Sequence, residues 1–313
     1  MTENRFAAVD MGTNSFHLIV VEVQDDGSFK LLDREREIIR LGYHKGDELS
    51  FISEGETEKA IDILKNFKNV SKLYNAEMRA VATSAVREAK NQLEFVQKVF
   101  EQTGINIEVI EGKKEAELIF KGAVKIINPG TKKVLCADIG GGSTEIIFGK
   151  QDKIDFAESV KLGAVRLAKK YFPDFILTDN SVAECENYIK EKIEEIKHKA
   201  GRLEFDLAVG ASGTIQSAAA LTLGLAKKKI PKNLGGLLLK KDDLLLLYEE
   251  IKMRKKVEER MQMTGMELKR ADIIPAGIFI LKNIFDIFKI DEMRISEYAL
   301  REGIIIDTIS TQK

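Results

Sequence analysis

Phe6-Ala-Ala-Val-Asp10-Met-Gly12-Thr13-Asn14-Ser15-Phe-His17-Leu-Ile-Val20 and Val134-Leu-Cys-Ala-Asp138-Ile-Gly140-Gly141-Gly142-Ser143-Thr144-Glu145-Ile-Ile-Phe148 are two copies of one pattern. In each, an apolar run ends in Asp, a turn with glycine follows, and a second β-rich run begins. A shift of 128 residues lays Asp10 on Asp138, Gly12 on Gly140 and Ser15 on Ser143. A glycine turn between strands exposes consecutive backbone N–H groups, because no Cβ blocks approach, and such groups form an anion-binding concavity. The preceding Asp stands where it can hold Mg²⁺ directly or through water. The Ser and Thr hydroxyls add donors. One such loop alone reads more readily as a plain hairpin than as a phosphate site. Its repetition at equivalent places predicts a duplicated α/β fold whose two loops face each other across a cleft and clamp a phosphate chain.

Working outward, the spacing of Ile61, Leu64, Phe67, Val70 and Tyr74 predicts a helix over 57–74. A short strand is expected at 78–83, and a helix over 115–126 with Leu118, Ile119, Gly122 and Ile126 on one side. Asn128-Pro129-Gly130 is a turn signal before the second copy. Ser181 reads as the N-cap of a helix to about Lys199, with Val182, Cys185, Ile189, Ile193 and Ile196 on one face. A third strand over 205–209 leads into Gly210-Ala-Ser212-Gly213-Thr214 and a helix of small residues. A helix N-terminus attracts anions, although this loop reads also as a simple strand-to-helix turn. A last strand over 293–296 precedes a final helix. The domains expected are residues 1–127 with 300–313, and residues 128–299.

The chain has 313 residues, enough for about two domains. Lys plus Arg total 49 and Asp plus Glu total 50, so the net charge of -1 excludes a globally basic nucleic-acid binder. The longest apolar stretch, Ile273 to Leu281, is far too short for a membrane span, and the N-terminus lacks a signal-peptide pattern. Cys136 and Cys185 form no C-x-x-C pair, which fits a reducing cytoplasm. His17, His44 and His198 are too scattered for a histidine metal site. Charge is nevertheless uneven. Residues 221–270 hold 13 Lys/Arg against 7 Asp/Glu, an excess of +6. That tract, with Lys227, Lys228 and Lys229 at its start, reads either as a guide for a polyanion or as a solvated helical face.

The duplicated loops resemble the actin/Hsp70/sugar-kinase superfamily, whose fold is a doubled ribonuclease H-like unit with two lobes. More specific strings run in order along the chain: A-V-D-M-G-T-N-S-F-H (8–17), A-T-S-A-V-R (82–87), E-A-E-L-I-F-K-G (115–122), D-I-G-G-G-S-T-E (138–145), G-A-S-G-T (210–214), R-A-D-I-I-P-A-G (270–277) and A-L-R-E-G (299–303). These resemble the exopolyphosphatase/guanosine pentaphosphate phosphohydrolase family, in a short two-domain form. Thr13 stands where that family usually has Ser, and the hydroxyl is retained.

The resemblance implies a Mg²⁺-dependent hydrolase that releases terminal orthophosphate from inorganic polyphosphate, with guanosine pentaphosphate as the alternative substrate. It leaves room for a monovalent cation and for a homodimer, and implies neither nucleic acid nor membrane as partner. Glu115 matches the catalytic Glu; taken alone it is an acid near a helix start, favoured there by the dipole. Asp138 matches a metal-site aspartate. Glu145 matches a second carboxylate, for metal or water, and reads equally as a strand residue. Asp10 is structural or a ligand through water. Arg87 matches a phosphate-contacting arginine and Arg270 is a weaker candidate. The phosphate-binding set is completed by Gly12, Thr13, Asn14, Ser15, Gly140, Gly141, Gly142, Ser143, Thr144, Ser212, Gly213 and Thr214. His17 is expected to make a structural hydrogen bond. Two other classes share the fold, sugar or acetate kinases and actin-like assembly proteins, since fold alone does not set function.

Overall fold

The computed structural model of the chain describes residues 4–41 and 51–311. His44 lies outside the described residues. The chain forms two compact units, Met1–Leu118 with Leu300–Lys313, and Ile119–Ala299.

In the first unit, strands β1 (Arg5–Met11), β2 (Ser15–Val23) and β3 (Phe29–Ile38) form a meander. Helix α1 (Glu54–Leu73) crosses to β4 (Glu77–Ala82), which pairs parallel to β1. The short α2 (Ser84–Arg87) and α3 (Gln92–Thr103) then lead to β5 (Ile107–Val109), parallel to β4. The sheet order is β3-β2-β1-β4-β5, with β2 the antiparallel member. Helix α4 (Gly112–Ile127) follows, and α11 (Leu300–Thr311) returns to pack on β1. Side chains alternate across β1. Ala7, Val9 and Met11 join a core with Ile61, Leu64 and Phe67 of α1 and Phe95 and Val99 of α3. Asp10, one step out of phase, belongs to the opposite face. The start of α1 is set by a reciprocal capping box, Ser53 with Glu56.

The second unit repeats the plan. Strands β6 (Val134–Ile139), β7 (Thr144–Lys150) and β8 (Lys153–Val160) form the meander, α5 (Ala164–Tyr171) and α6 (Asp179–Ala200) follow, and β9 (Leu207–Gly210) pairs parallel to β6. Next come α7 (Gly213–Leu225), β10 (Leu238–Lys240), α8 (Lys241–Met253), α9 (Val257–Met261), α10 (Ile274–Phe288) and β11 (Glu292–Ile295). The order β8-β7-β6-β9-β11 matches that of the first sheet, strand for strand and direction for direction, with β10 added antiparallel at the edge. This is the ribonuclease H-like topology twice over, as the repeat predicts. Crossover helices cover both faces of the parallel strands, which explains why these strands are apolar almost throughout.

Two expectations need correction. The α6 cap is Thr178, not Ser181; Ser181 is the third helical residue, and the two hydroxyls each accept the other's backbone N–H at 3.0 and 3.1 Å. Ile126 is exposed, because the final turn of α4 projects past the packed surface. The basic tract is also less available than its count suggests. Arg260 is wholly buried, and its guanidinium donates to the carbonyls of Ala271, Arg254, Lys255 and Phe175. Arg254 pairs with Glu250, Lys255 with Asp179, and Arg270 with Glu267. Lys227, Lys228 and Lys229 remain exposed between α7 and β10.

Arg260 therefore acts as a pin for four backbone acceptors. Its replacement by Met leaves those carbonyls buried without a donor, at about 1–3 kcal/mol for each that water does not reach. Arg260→Met is expected to lower the stability of the second unit by about 3 kcal/mol or more, read from urea midpoints. A change below about 0.5 kcal/mol would show that the loops do not depend on it.

Candidate active site

The first loop turns between β1 and β2 over Gly12, Thr13 and Asn14. Asp10 lies directly across from His17 in the ladder. A Cβ on Gly12 would stand 3.2 Å from the Ser15 carbonyl oxygen. The hydroxyls are held from the sides: Thr13 Oγ1 to Ser84 Oγ at 2.8 Å, and Ser15 Oγ to His17 Nε2 at 2.9 Å. His17 thus makes the structural bond expected of it. Leu41 N–H donates to the Thr13 carbonyl, and Ile39 and Arg40 N–H to that of Asn14. The Asn14 carboxamide is buried, and neither its Oδ1 nor its Nδ2 has a hydrogen-bond partner among the described residues. An unmet buried amide costs folding free energy, and such groups concentrate where a ligand completes them.

The second loop has the same geometry. Asp138 lies across from Glu145, and a Cβ on Gly140 would stand 3.2 Å from the Ser143 carbonyl oxygen. Its carbonyls are occupied by the start of α5. Ala164 N–H donates to Gly140 and Val165 N–H to Gly141, while the Arg166 side chain donates to Gly142. Within the turn, Gly140 N–H donates to the Ser143 carbonyl at 2.9 Å. Gly163 permits the close approach of α5; a Cβ there would be 2.2 Å from the Gly141 oxygen. Thr144 is locked to the Leu162 carbonyl at 2.5 Å, so its hydroxyl serves the loop itself. Glu145 is buried and accepts from Ser159 Oγ at 2.7 Å. Ser143 is buried beside it in sequence.

The third loop sits at the N-terminus of α7. Ser212 caps that helix by accepting Ile215 N–H, and Thr214 packs its methyl against Gly277 of α10. Arg270 does come to this loop. Its guanidinium lies where a Cβ on Gly213 would be, 2.4 Å from Nη2. Arg270 and Gly213 are therefore brought together, while the Ser212 and Thr214 side chains serve the helix.

Glu115 occupies the first turn of α4 and is buried. Its Oε2 accepts from Arg87 Nη1 at 2.8 Å, and the same nitrogen donates to the Ile110 carbonyl at 2.8 Å. Two residues expected to act on the same substrate are thus in direct contact. Burial raises the Glu115 pKa, the adjacent Arg87 opposes this, and Glu88 adds to it. Asp10, although part of its surface reaches solvent, is pushed up to about 7 by burial; Arg301 opposes the shift while Glu115 and Glu302 reinforce it. Two buried or half-buried carboxyls with raised pKa values, each facing an arginine, are the kind of arrangement that clusters at reaction sites. Sequence reading missed Arg301, Ser84 and Ser159, because nothing in their local pattern announces a partner far along the chain. A-L-R-E-G was the one signal that held Arg301.

No cluster of three His, Cys, Asp or Glu side chains suited to a metal occurs among the described residues. The residues fit Mg²⁺ in its usual manner, in which one or two carboxylates suffice and water and phosphate oxygens supply the rest. Asp138 with Glu145 is one such pair, and Asp10 is a half-buried carboxyl beside Arg301 and two acids. No helix among the described residues is long and apolar enough to cross a membrane.

A doubled ribonuclease H-like chain, with a glycine hairpin loop in each copy and a buried Glu–Arg pair, defines the class. The sequence model of the Ppx/GppA phosphatase family matches residues 19–312, and the chain belongs to that family. It is 31% identical over 305 residues to the guanosine-5'-triphosphate,3'-diphosphate pyrophosphatase of Vibrio parahaemolyticus, covering 97% of this chain and 59% of that protein. The chain thus spans under two thirds of that relative's length. It is similar to the crystal structure of an exopolyphosphatase from Cytophaga hutchinsonii (27% identity, TM-score 0.89, 98% of each chain covered). It is also similar to the Aquifex aeolicus member of the Ppx/GppA family (29% identity, TM-score 0.82, 99% of this chain and 98% of that one).

The Asp10 shift has a consequence for stability. The folded protein keeps this proton to about pH 7, the unfolded chain only to its ordinary value near 3.8. Between those values the folded state binds more protons, so the Asp10 contribution falls as pH rises. In chelator, Asp10→Asn is expected to gain stability on the wild type between pH 5 and pH 8, by urea titration. Mg²⁺ is expected to narrow the gap at pH 8. Parallel curves for the two proteins would refute this account.

Proposed function

We propose that the chain hydrolyses the terminal phosphoanhydride of inorganic polyphosphate, with short chains as its substrates, and releases orthophosphate. The observation that carries this reading is the buried Glu115–Arg87 contact at 2.8 Å. Hydrolysis needs a water in line with the scissile P–O bond, a group to orient it and take its proton, and positive charge on the phosphoryl oxygens. The second oxygen of Glu115 is the one to take up the water, and burial, which raises its pKa, makes the carboxylate a stronger base. Arg87, with Nη1 on Glu115, offers its remaining N–H groups to the terminal phosphate. The water oxygen bonds to phosphorus as the bridging P–O bond breaks. Its proton passes to Glu115, and the shortened chain leaves as a phosphate anion.

The amides around Gly12 bind phosphate oxygens, and the Asn14 carboxamide gains its missing partners there; the amides of Gly141 and Gly142 offer the same chemistry in the second unit. Mg²⁺, when bound, supplies charge neutralisation on the phosphate chain. Asp138 with Glu145, and separately Asp10, are the residues that would hold it. The reading agrees with the name of the Cytophaga hutchinsonii structure. The second reading, removal of the 5'-terminal phosphate of guanosine pentaphosphate, is favoured by the name of the Vibrio parahaemolyticus relative. Both use the same pair and loops.

The test is orthophosphate release from tripolyphosphate, long polyphosphate and guanosine pentaphosphate, with Mg²⁺ and with chelator. Glu115→Gln keeps the shape and removes the base, and is expected to lower kcat by about 10²–10⁴. Full activity in that variant would sink the mechanism, and no release from any of the three would sink the reading.

A further inference from the structure

The closing helix α11 lies against the helix that carries Glu115. Gly303 approaches α4 so closely that a Cβ would stand 1.9 Å from the Leu118 carbonyl oxygen. One turn further along α11, Asp307 meets Lys114, which is one turn earlier on α4, with Nζ 3.1 Å from Oδ1. The two helices are therefore fixed to each other at two successive turns. The other Asp307 oxygen accepts from Arg79 Nη1 at 3.0 Å, and Thr308 Oγ1 takes a second bond from that nitrogen at 3.3 Å. Glu108 holds the far edge of the same guanidinium at 2.9 and 3.1 Å. Only 10% of the Asp307 side chain is exposed.

The placement of the two cations gives this contact its meaning. Lys114 directly precedes Glu115. Arg79 lies on β4, the strand that runs into α2 and Arg87. One carboxylate therefore grips the carriers of both members of the Glu115–Arg87 pair.

We propose that Asp307 is a positioning residue for that pair: by bridging Lys114 and Arg79 it holds the first turn of α4 against β4, and with it the Glu115 carboxylate against Arg87. The proposal rests on the hydrolase reading above. A misplacement near 1 Å at a reacting group costs about 10²-fold in rate. Cohesion alone explains it poorly, since ion pairs to partly exposed cations, here Arg79 at 24% and Lys114 at 36% exposure, add little stability. What the bridge adds is a set distance between two elements. Gly303 lets the helices come close enough for Asp307 to reach both cations.

The test uses the full chain with tripolyphosphate and Mg²⁺. Asp307→Ala is expected to lower kcat at least about tenfold with KM changed less than about threefold, and the isosteric Asp307→Asn to keep part of the rate. In a Glu115→Gln background, Asp307→Ala is expected to lower the residual rate no further, because the residue acts through Glu115. An equal fractional loss in both backgrounds, or a change confined to KM or thermal stability, overturns the proposal. If the wild type releases no phosphate at all, the hydrolase reading fails by itself. Asp307 is then judged by the Glu115 titration in carboxyl ¹³C NMR, assigned with Glu115→Gln. Asp307→Asn is expected to move that titration upward as Arg87 loosens, and an unmoved titration overturns the proposal. The same spectrum serves if Asp307→Ala does not fold.

Discussion

Each half of the chain must reverse direction within three or four residues directly after an aspartate at the end of its first strand. At Gly12 and at Gly140 a Cβ would stand 3.2 Å from the carbonyl oxygen three residues on, so the turn leaves little room for a side chain. That steric limit sets the ladder register. The register places Asp10 across from His17 and Asp138 across from Glu145. Neighbouring elements take up the loop carbonyls: Leu41, Ile39 and Arg40 in the first copy, and α5 in the second.

Around the same plan the two copies have diverged in their side chains. The first sets a carboxyl, an imidazole and a serine hydroxyl on the hairpin. The second sets two carboxyls and a serine from the third strand. The first unit adds the buried Glu115–Arg87 pair, held by α4 and α2 and braced by α11. The candidate chemistry is therefore asymmetric although the backbone is not.

Charge in this protein depends on where it lies. The count over 221–270 is correct, yet Arg260 is consumed by four backbone carbonyls and Arg254, Lys255 and Arg270 are paired with acids. Lys227, Lys228 and Lys229 are what remains as an exposed block. The count already subtracts Glu250 and Glu267; what it misses is the burial of Arg260 and the pairing of Lys255 with Asp179, outside the tract.

The duplication, the strand pairs, the glycine loops and most helix faces were legible in the chain itself, because they follow from local rules: a period of two or 3.6, and glycine where a Cβ has no room. The short strands β5 and β10 carried too few residues for a period, and β8 has too polar a face. The α6 cap was misplaced because Thr178 and Ser181 are both good caps, and only the backbone path selects between them. Family-like strings named Glu115 and Arg87 separately. Their contact at 2.8 Å was decided by tertiary structure, since it depends on how the first turn of α4 meets α2, beside a helix nearly two hundred residues later in the chain. The same holds for Asp307 and for the raised pKa of Asp10. Burial and the charges of distant residues exist only once the chain has folded, and no local rule encodes them.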